Sequence, residues 1–239
     1  MIYDENAGKI LSERIKGARE KIARAADLSG RSPADIFLVA ATKTQRSDVI
    51  RAALETGGID AAGENRVQEL RDHLDAGAYL DVPVHMIGHL QTNKLKYVVG
   101  KVSLIQSVDS LNLASEISKL ASKLSVTQDI LLELNVAGEE SKFGFSPGDI
   151  GGVLPEIAKL PNIRIRGMMA IPPIQEKTGQ NRPYFERLRQ LFIDSKAKKY
   201  DNVFMDYLSM GMSDDYYDAI LCGSNMVRLG TALFGKREA

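Results

Sequence analysis

The feature that most constrains this chain is an alternation. Eight short apolar runs follow one another: Phe37–Thr42, Asp60–Gly63, Val84–Gly88, Ser103–Val108, Asp129–Val136, Ile163–Ile171, Val203–Met210 and Met226–Phe234. Helical periodicity fills much of the space between them, as at Ser47–Thr56, Val67–Ala76, Leu111–Leu124, Asp149–Leu160 and Tyr184–Lys198. Strands that alternate with helices pair in parallel through right-handed crossovers. Eight such units in 239 residues predict an α/β fold, a closed (β/α)8 barrel of the TIM type. The runs are apolar on both faces, as strands packed inside and covered outside must be. An open doubly wound sheet competes, but no Gly-x-Gly-x-x-Gly follows the first run. Residues 1–30 read as an extra N-terminal helix packing on the barrel, with Ile10, Ile15, Ile22 and Ala26 near one stripe and Ser29-Gly30-Arg31-Ser32-Pro33 ending it. No linker or low-complexity tract interrupts the pattern, so 1–239 is expected to form a single domain.

Charge narrows the function classes. Lys plus Arg number 31 and Asp plus Glu number 31, which gives no broad basic field for nucleic acid and no polybasic membrane anchor. The apolar run Ile36–Ala41 is far short of the roughly 20 residues that cross a bilayer. The acidic start Met1-Ile-Tyr-Asp-Glu has no apolar signal core. Cys222 is the only cysteine, so neither an internal disulfide nor a cysteine zinc site can form. These features lead to the expectation of a cytoplasmic protein and a monomer, without nucleic-acid or membrane partners.

Barrels of this kind carry their chemistry at the C-terminal ends of the strands. The Gly- and Ser-rich loop Leu208–Asp215, with Gly230 and Thr231 in the eighth unit, offers N–H groups and hydroxyls suited to a phosphate. A plain turn and helix cap at Gly211 and Ser213 explains the same loop. Lys43 ends the first run. Buried there, its amine would lose its proton more readily and attack an aldehyde; alternatively it reaches solvent or pairs with Glu64. A lysine nucleophile opposite a phosphate cradle suits a phosphate-bearing aldehyde, and pyridoxal 5′-phosphate is one. Arg228 would then face the pyridine nitrogen and leave it unprotonated, making the ring a weak electron sink; a salt bridge with Asp206 is the structural alternative. His85 and His89 lack a third ligand, so no metal site is expected. Asp214-Asp215 reads as first-turn helix charge, Met168-Met169 as core, and Ser141-Lys142-Phe143-Gly144 as a solvated loop.

Five motifs in order carry a family resemblance over nearly the whole chain: Ala41-Thr-Lys-Thr44, Gly63-Glu-Asn65, His85-Met-Ile-Gly88 with Leu90-Gln-Thr-Asn-Lys94, Leu208-Ser-Met-Gly-Met-Ser-Asp214, and Val227-Arg-Leu-Gly-Thr231 with Phe234-Gly235. The chain resembles the pyridoxal phosphate homeostasis proteins, the YggS-like family, whose fold is similar to the barrel domain of bacterial alanine racemase. The resemblance implies pyridoxal 5′-phosphate as cofactor, Lys43 as the Schiff-base lysine and Arg228 at the ring nitrogen. It implies Ser209, Gly230 and Thr231 around the phosphate, Asn65 beside the ring, and Met210 and His85 as wall residues. Gln45 and Arg46 stand where many relatives have a lysine and a proline, and Met86 replaces a common Phe.

Two functions follow. One is intracellular homeostasis of the cofactor, by buffering it and delivering it transiently to apoenzymes, with no strong catalysis and so no catalytic residue. The other is a pyridoxal-phosphate-dependent amino-acid racemase or lyase. Two-base racemisation needs an acid–base group on each face of the substrate carbon, and Lys43 supplies only one. A third reading, a sugar-phosphate barrel enzyme, needs a carboxylate base at a strand end, and Glu64 is its one candidate.

Overall fold

The structure is a computed structural model that describes residues 5–139 and 142–235. Its strands are β1 (Phe37–Ala41), β2 (Ala61–Glu64), β3 (Val84–Met86), β4 (Leu104–Val108), β5 (Gln128–Glu133), β6 (Ile163–Met169), β7 (Val203–Ser209) and β8 (Met226–Leu229). They pair in sequence order, all parallel, and β8 returns to β1 to close the barrel. The helices are α1 (Glu5–Leu28), α2 (Ser47–Glu55), α3 (Val67–Asp75), α4 (Leu111–Lys123), α5 (Ile150–Ala158), α6 (Arg182–Lys196), α7 (Tyr216–Leu221) and α8 (Thr231–Phe234). A 3₁₀ segment, Thr92–Tyr97, takes the helix position between β3 and β4. The eighth apolar run therefore divides: Leu229 ends the strand, and Gly230 turns the chain into α8.

Alternation along each strand separates two apolar layers. Val39, Ala41, Ala61, Ile87, Leu104, Leu131, Met169 and Met226 fill the barrel interior. Their sequence neighbours, such as Leu38, Ala62, Ile105, Leu132 and Met168, pack outward against the helices. Met168 and Met169 are both fully buried, one in each layer. Gly167, at φ +151°, lets β6 approach β7, for a Cβ there would lie 1.8 Å from the Tyr207 carbonyl oxygen.

In α1 the buried stripe is Leu11, Ile15, Ala18, Ile22, Ala25 and Ala26; Ile10, expected on it, is 41% exposed. The stripe follows steps of three and four from Leu11, and Ile10 falls one position off it. It packs on Tyr216, Ile220 and Leu233, which belong to α7 and α8, and on Val227 and Leu229 of β8. Gly30, at φ +71°, follows the end of α1, and Ser32 with Asp35 forms a capping box on the next turn. Residues 1–4 of the expected helix and Ser141 lie outside the described residues.

Candidate functional site

Lys43 follows β1 at the C-terminal mouth of the barrel. It is exposed, not buried, because β1 ends at Ala41 and the chain has already turned outward. Its amine makes no hydrogen bond or ion pair among the described residues. Thr44 beside it holds φ +62°, a left-handed conformation unusual for a residue with a Cβ. A shallow cleft gathers Lys43, Thr44, Gly230, Thr231 and Phe234. Two loops far apart in sequence meet there because β8 pairs with β1. The Thr231 hydroxyl has no partner among the described residues. Gly230 and Ala232 both donate their N–H to Ser213 Oγ, at 3.2 and 3.0 Å.

The suggested pair of Lys43 with Glu64 does not form. Glu64 faces away from the barrel interior and is fully buried against α3. Its Oε1 accepts from Thr42 Oγ1 at 2.5 Å, Tyr79 OH at 2.9 Å and His73 Nδ1 at 2.9 Å. Burial first, and Glu64 second, raise the Tyr79 phenol above its ordinary range. A carboxylate fixed this way cannot serve as a base at the mouth, which removes the one candidate of the sugar-phosphate reading.

Arg228 projects from β8 into the interior and is 4% exposed. It donates to Ser209 Oγ at 2.5 Å and to the Ala170 carbonyl at 2.9 Å. Asp206, its suggested partner, instead accepts from Arg166 at 2.7 Å. Burial lowers the Arg228 pKa to about 10 while Glu133 and Asp215 pull the other way, so the guanidinium stays charged at neutral pH.

Ser209 is fully buried, and its hydroxyl is committed. It accepts from Arg228 and donates to Gln106 Oε1 at 2.7 Å; Gln106 Nε2 donates in turn to His85 Nδ1 at 2.9 Å. The other amide hydrogen reaches Met226 Sδ at 3.3 Å. This chain runs through the barrel core and ends on a histidine that burial holds neutral, with a pKa of about 3. His85 stacks on Phe37 with ring centres 5.7 Å apart and lines a cleft with Pro83 and Ser103, at the end of the barrel away from Lys43.

The eight residues thus fall into groups. Lys43, Gly230 and Thr231 share the mouth cleft. Arg228 and Ser209 lie beneath in the core, and His85 is at the far end of their chain. The Met210 side chain packs in the layer outside the barrel, and its N–H and carbonyl are bonded to Met226 and Ser224. Asn65 lies at the end of β2, over Gly88, where a Cβ would come within 2.3 Å of the Asn65 carbonyl oxygen. Lys142 pairs with Glu139 at 2.9 Å.

Two residues escaped the sequence reading. Gln106 occupies an inward position of the fourth run, two after Leu104; a lone polar residue at a core position is the signal that marks it. Glu133, at the end of β5, has its pKa raised to about 7, by burial and then by Asp109, against the pull of Arg228. Nothing in the run Asp129–Val136 distinguishes that carboxyl from an outward one until the register of β5 is known.

Comparison with known proteins follows the same line. The family model for the alanine racemase N-terminal domain matches residues 18–238. A pyridoxal phosphate homeostasis protein of Aquifex aeolicus is 44% identical over 226 residues, covering 95% of this chain and 98% of the relative. The chain belongs to the pyridoxal phosphate homeostasis protein family. A solved structure of that barrel type, PipY of Synechococcus elongatus with PLP bound, is 31% identical with a TM-score of 0.77, covering 90% of this chain and all of PipY. An alanine racemase of Clostridium difficile shares the fold at 16% identity and a TM-score of 0.70, over 98% of this chain and 61% of the racemase. Among the described residues no helix is long and apolar enough to cross a membrane.

Proposed function

We propose that this chain binds pyridoxal 5′-phosphate as a Schiff base on Lys43 and takes part in intracellular homeostasis of that cofactor, as a cytoplasmic monomer forming one cofactor-binding domain. The observation that carries this reading is the meeting of an unpaired Lys43 amine with Gly230 and the free Thr231 hydroxyl in one cleft, in a family whose member PipY is solved with PLP bound. When bound, the cofactor supplies an aldehyde for the amine, a phosphate for the cleft and a ring that can accept electrons. Thr231 and Gly230 would hold the phosphate; Ser213, whose hydroxyl now receives two N–H groups, marks where an acceptor oxygen fits. Arg228 would face the ring nitrogen and keep it unprotonated, and Asn65 would border the ring.

The buried chain alters one assignment. Ser209 already accepts from Arg228 and donates to Gln106, so its role in this reading is to position the guanidinium rather than to bind phosphate. Met210 and His85 shape the surroundings instead of touching the cofactor. Buffering and transient delivery to apoenzymes suit an exposed lysine at an open mouth, where an incoming amine reaches the same carbon.

A second reading, weak amino-acid racemisation or lysis, has one observation in its favour. Glu133 is a buried carboxyl with a pKa of about 7 near Arg228, and such a group can hold or release a proton at neutral pH.

The test is absorption spectroscopy with borohydride reduction and peptide mapping. The expected result is a yellow protein whose reduced label lies on Lys43 and disappears in Lys43→Ala. A label mainly on Lys94 or Lys142 would overturn the assignment. Alanine racemisation proportional to protein, lost in both Lys43→Ala and Glu133→Gln, would establish the second reading.

A further inference from the structure

A second cleft, of about 230 Å³, opens between α3 and the 3₁₀ segment Thr92–Tyr97. Arg66, Arg71 and Lys94 line it together with Gln91 and Tyr97, and no carboxylate does. The three cations have no ion pair or hydrogen bond among the described residues. Several arginines elsewhere are matched: Arg19 with Asp60, Arg164 and Arg166 with Asp129, Arg182 with Asp218. In a chain of net charge zero, three unneutralised cations around one concavity form a local excess. Asp72 is engaged by Gln68 at 2.8 Å and Asp109 by His89 at 3.1 Å, while Glu69 on α3 keeps a buried Oε2 with no hydrogen-bond partner among the described residues.

The same cations act on a phenol in the lining. The Tyr97 phenol is lowered from its ordinary pKa by Lys96, and further by Arg71 and Lys94. The Arg71 guanidinium lies 4.5 Å from the centre of that ring and Lys96 Nζ 5.0 Å from it, so the ring spaces two cations on one wall. Arg66 makes no side-chain cap at the start of α3, and Arg66, Val67 and Gln68 at that end of the nine-residue helix line the cleft. Two guanidiniums with an ammonium match a doubly charged phosphate, since arginine binds it through paired donors.

We propose that this cleft is a second binding site, for a small organic phosphate monoester, held by Arg66, Arg71 and Lys94 with Tyr97 beside its organic part. Its three cations lie outside the cleft of Lys43, Gly230 and Thr231, although Asn65, which would border the cofactor ring, also lines it.

The test is titration of the full chain with phenyl phosphate, which has no aldehyde to react with lysines, and with inorganic phosphate, followed by calorimetry and by amide and arginine side-chain NMR shifts. The expected shifts fall on residues 66–71 and 91–97. Arg71→Gln and Lys94→Gln should each weaken phenyl phosphate about tenfold, the loss of one charged hydrogen bond, with an unchanged circular dichroism spectrum. Lys43→Ala should leave the affinity of this site intact. Shifts confined to residues 43 and 230–231, or an affinity unmoved in both Gln variants, would overturn the site. Equal affinity for inorganic and phenyl phosphate would overturn its assignment to organic phosphates.

Discussion

Two buried polar networks flank the same strands and solve opposite problems. Inside the barrel, Arg228, Ser209, Gln106 and His85 form a chain in which each side chain donates to the next. Outside it, Glu64 gathers Thr42, His73 and Tyr79 onto a single oxygen while its Oε2 has no hydrogen-bond partner among the described residues. The inner chain carries its charge at the mouth end and becomes neutral with depth. The outer cluster puts a carboxyl in the wall and surrounds it with donors. His73 Nε2 also meets the Gln45 carbonyl at 3.1 Å, which ties the loop after Lys43 to α3. The comparison teaches that the inner network orients a cation for the site, whereas the outer one anchors the loop that presents the amine.

Acid should separate them first. His85 has an ordinary pKa of 6.5 and a folded value of about 3, so the neutral ring stabilises the fold above pH 6.5, and this is lost as pH falls toward 3. At about 1.4 kcal/mol per pH unit, the gap bounds the effect at roughly 5 kcal/mol. Glu133 acts with the opposite sign. Its pKa rises from 4.5 to about 7, so its contribution is complete below pH 4.5 and is lost as pH rises through 7. The two slopes oppose each other between pH 4.5 and 6.5, and below 4.5 His85 acts without that offset. Urea unfolding across this range should show a steep fall in stability below pH 4.5 that His85→Gln flattens. A fall of equal slope in the variant would remove His85 from the account.

Glu64→Leu should cost about 3–5 kcal/mol, the range for breaking a buried pair, because three donors lose their shared acceptor. The same variant should loosen the Lys43 loop, seen as faster amide exchange at residues 43–46. A cost under about 1 kcal/mol would show that the donors find other partners.

Gln106→Leu should cost about 2–3 kcal/mol through the stranded Ser209 hydroxyl and His85 nitrogen. Its second effect sharpens the comparison: cofactor affinity should fall several-fold with the label still on Lys43, since only the position of Arg228 changes. An unchanged affinity would make the chain purely structural.

The barrel was legible because β and helix periods alternate eight times, and each strand boundary departed from the apolar run by only a few residues. The departures have local causes. Met226–Phe234 reads as one run, yet Gly230 breaks it, since a strand and a short helix of similar composition look alike. Ile10 was misassigned because an apolar residue one step off a stripe satisfies the pattern as well as Leu11 does. In the site, Lys43, Gly230 and Thr231 were legible from their places at strand ends. The exposure of Lys43 was not, because it depends on where β1 stops. Gln106 and the commitment of Ser209 were hidden because they depend on strand register across the barrel. The cationic cleft draws on α3 and the 3₁₀ segment, and no spacing in the sequence joins them.

The docking of α1 has a consequence for synthesis. Much of the surface that its stripe covers comes from residues 216–233, among the last of the described chain to leave the ribosome. Until then Leu11, Ile15 and Ile22 have only the early members of their cluster, Ile36, Leu38, Ala40 and Ala53, and β1 lacks the β8 edge that closes the barrel. Some two hundred residues must emerge while that greasy stripe waits, a long interval for contacts so distant in sequence. The nascent chain is therefore an open sheet with a loose helix, and a chaperone that binds apolar helices would find its target at residues 11–26.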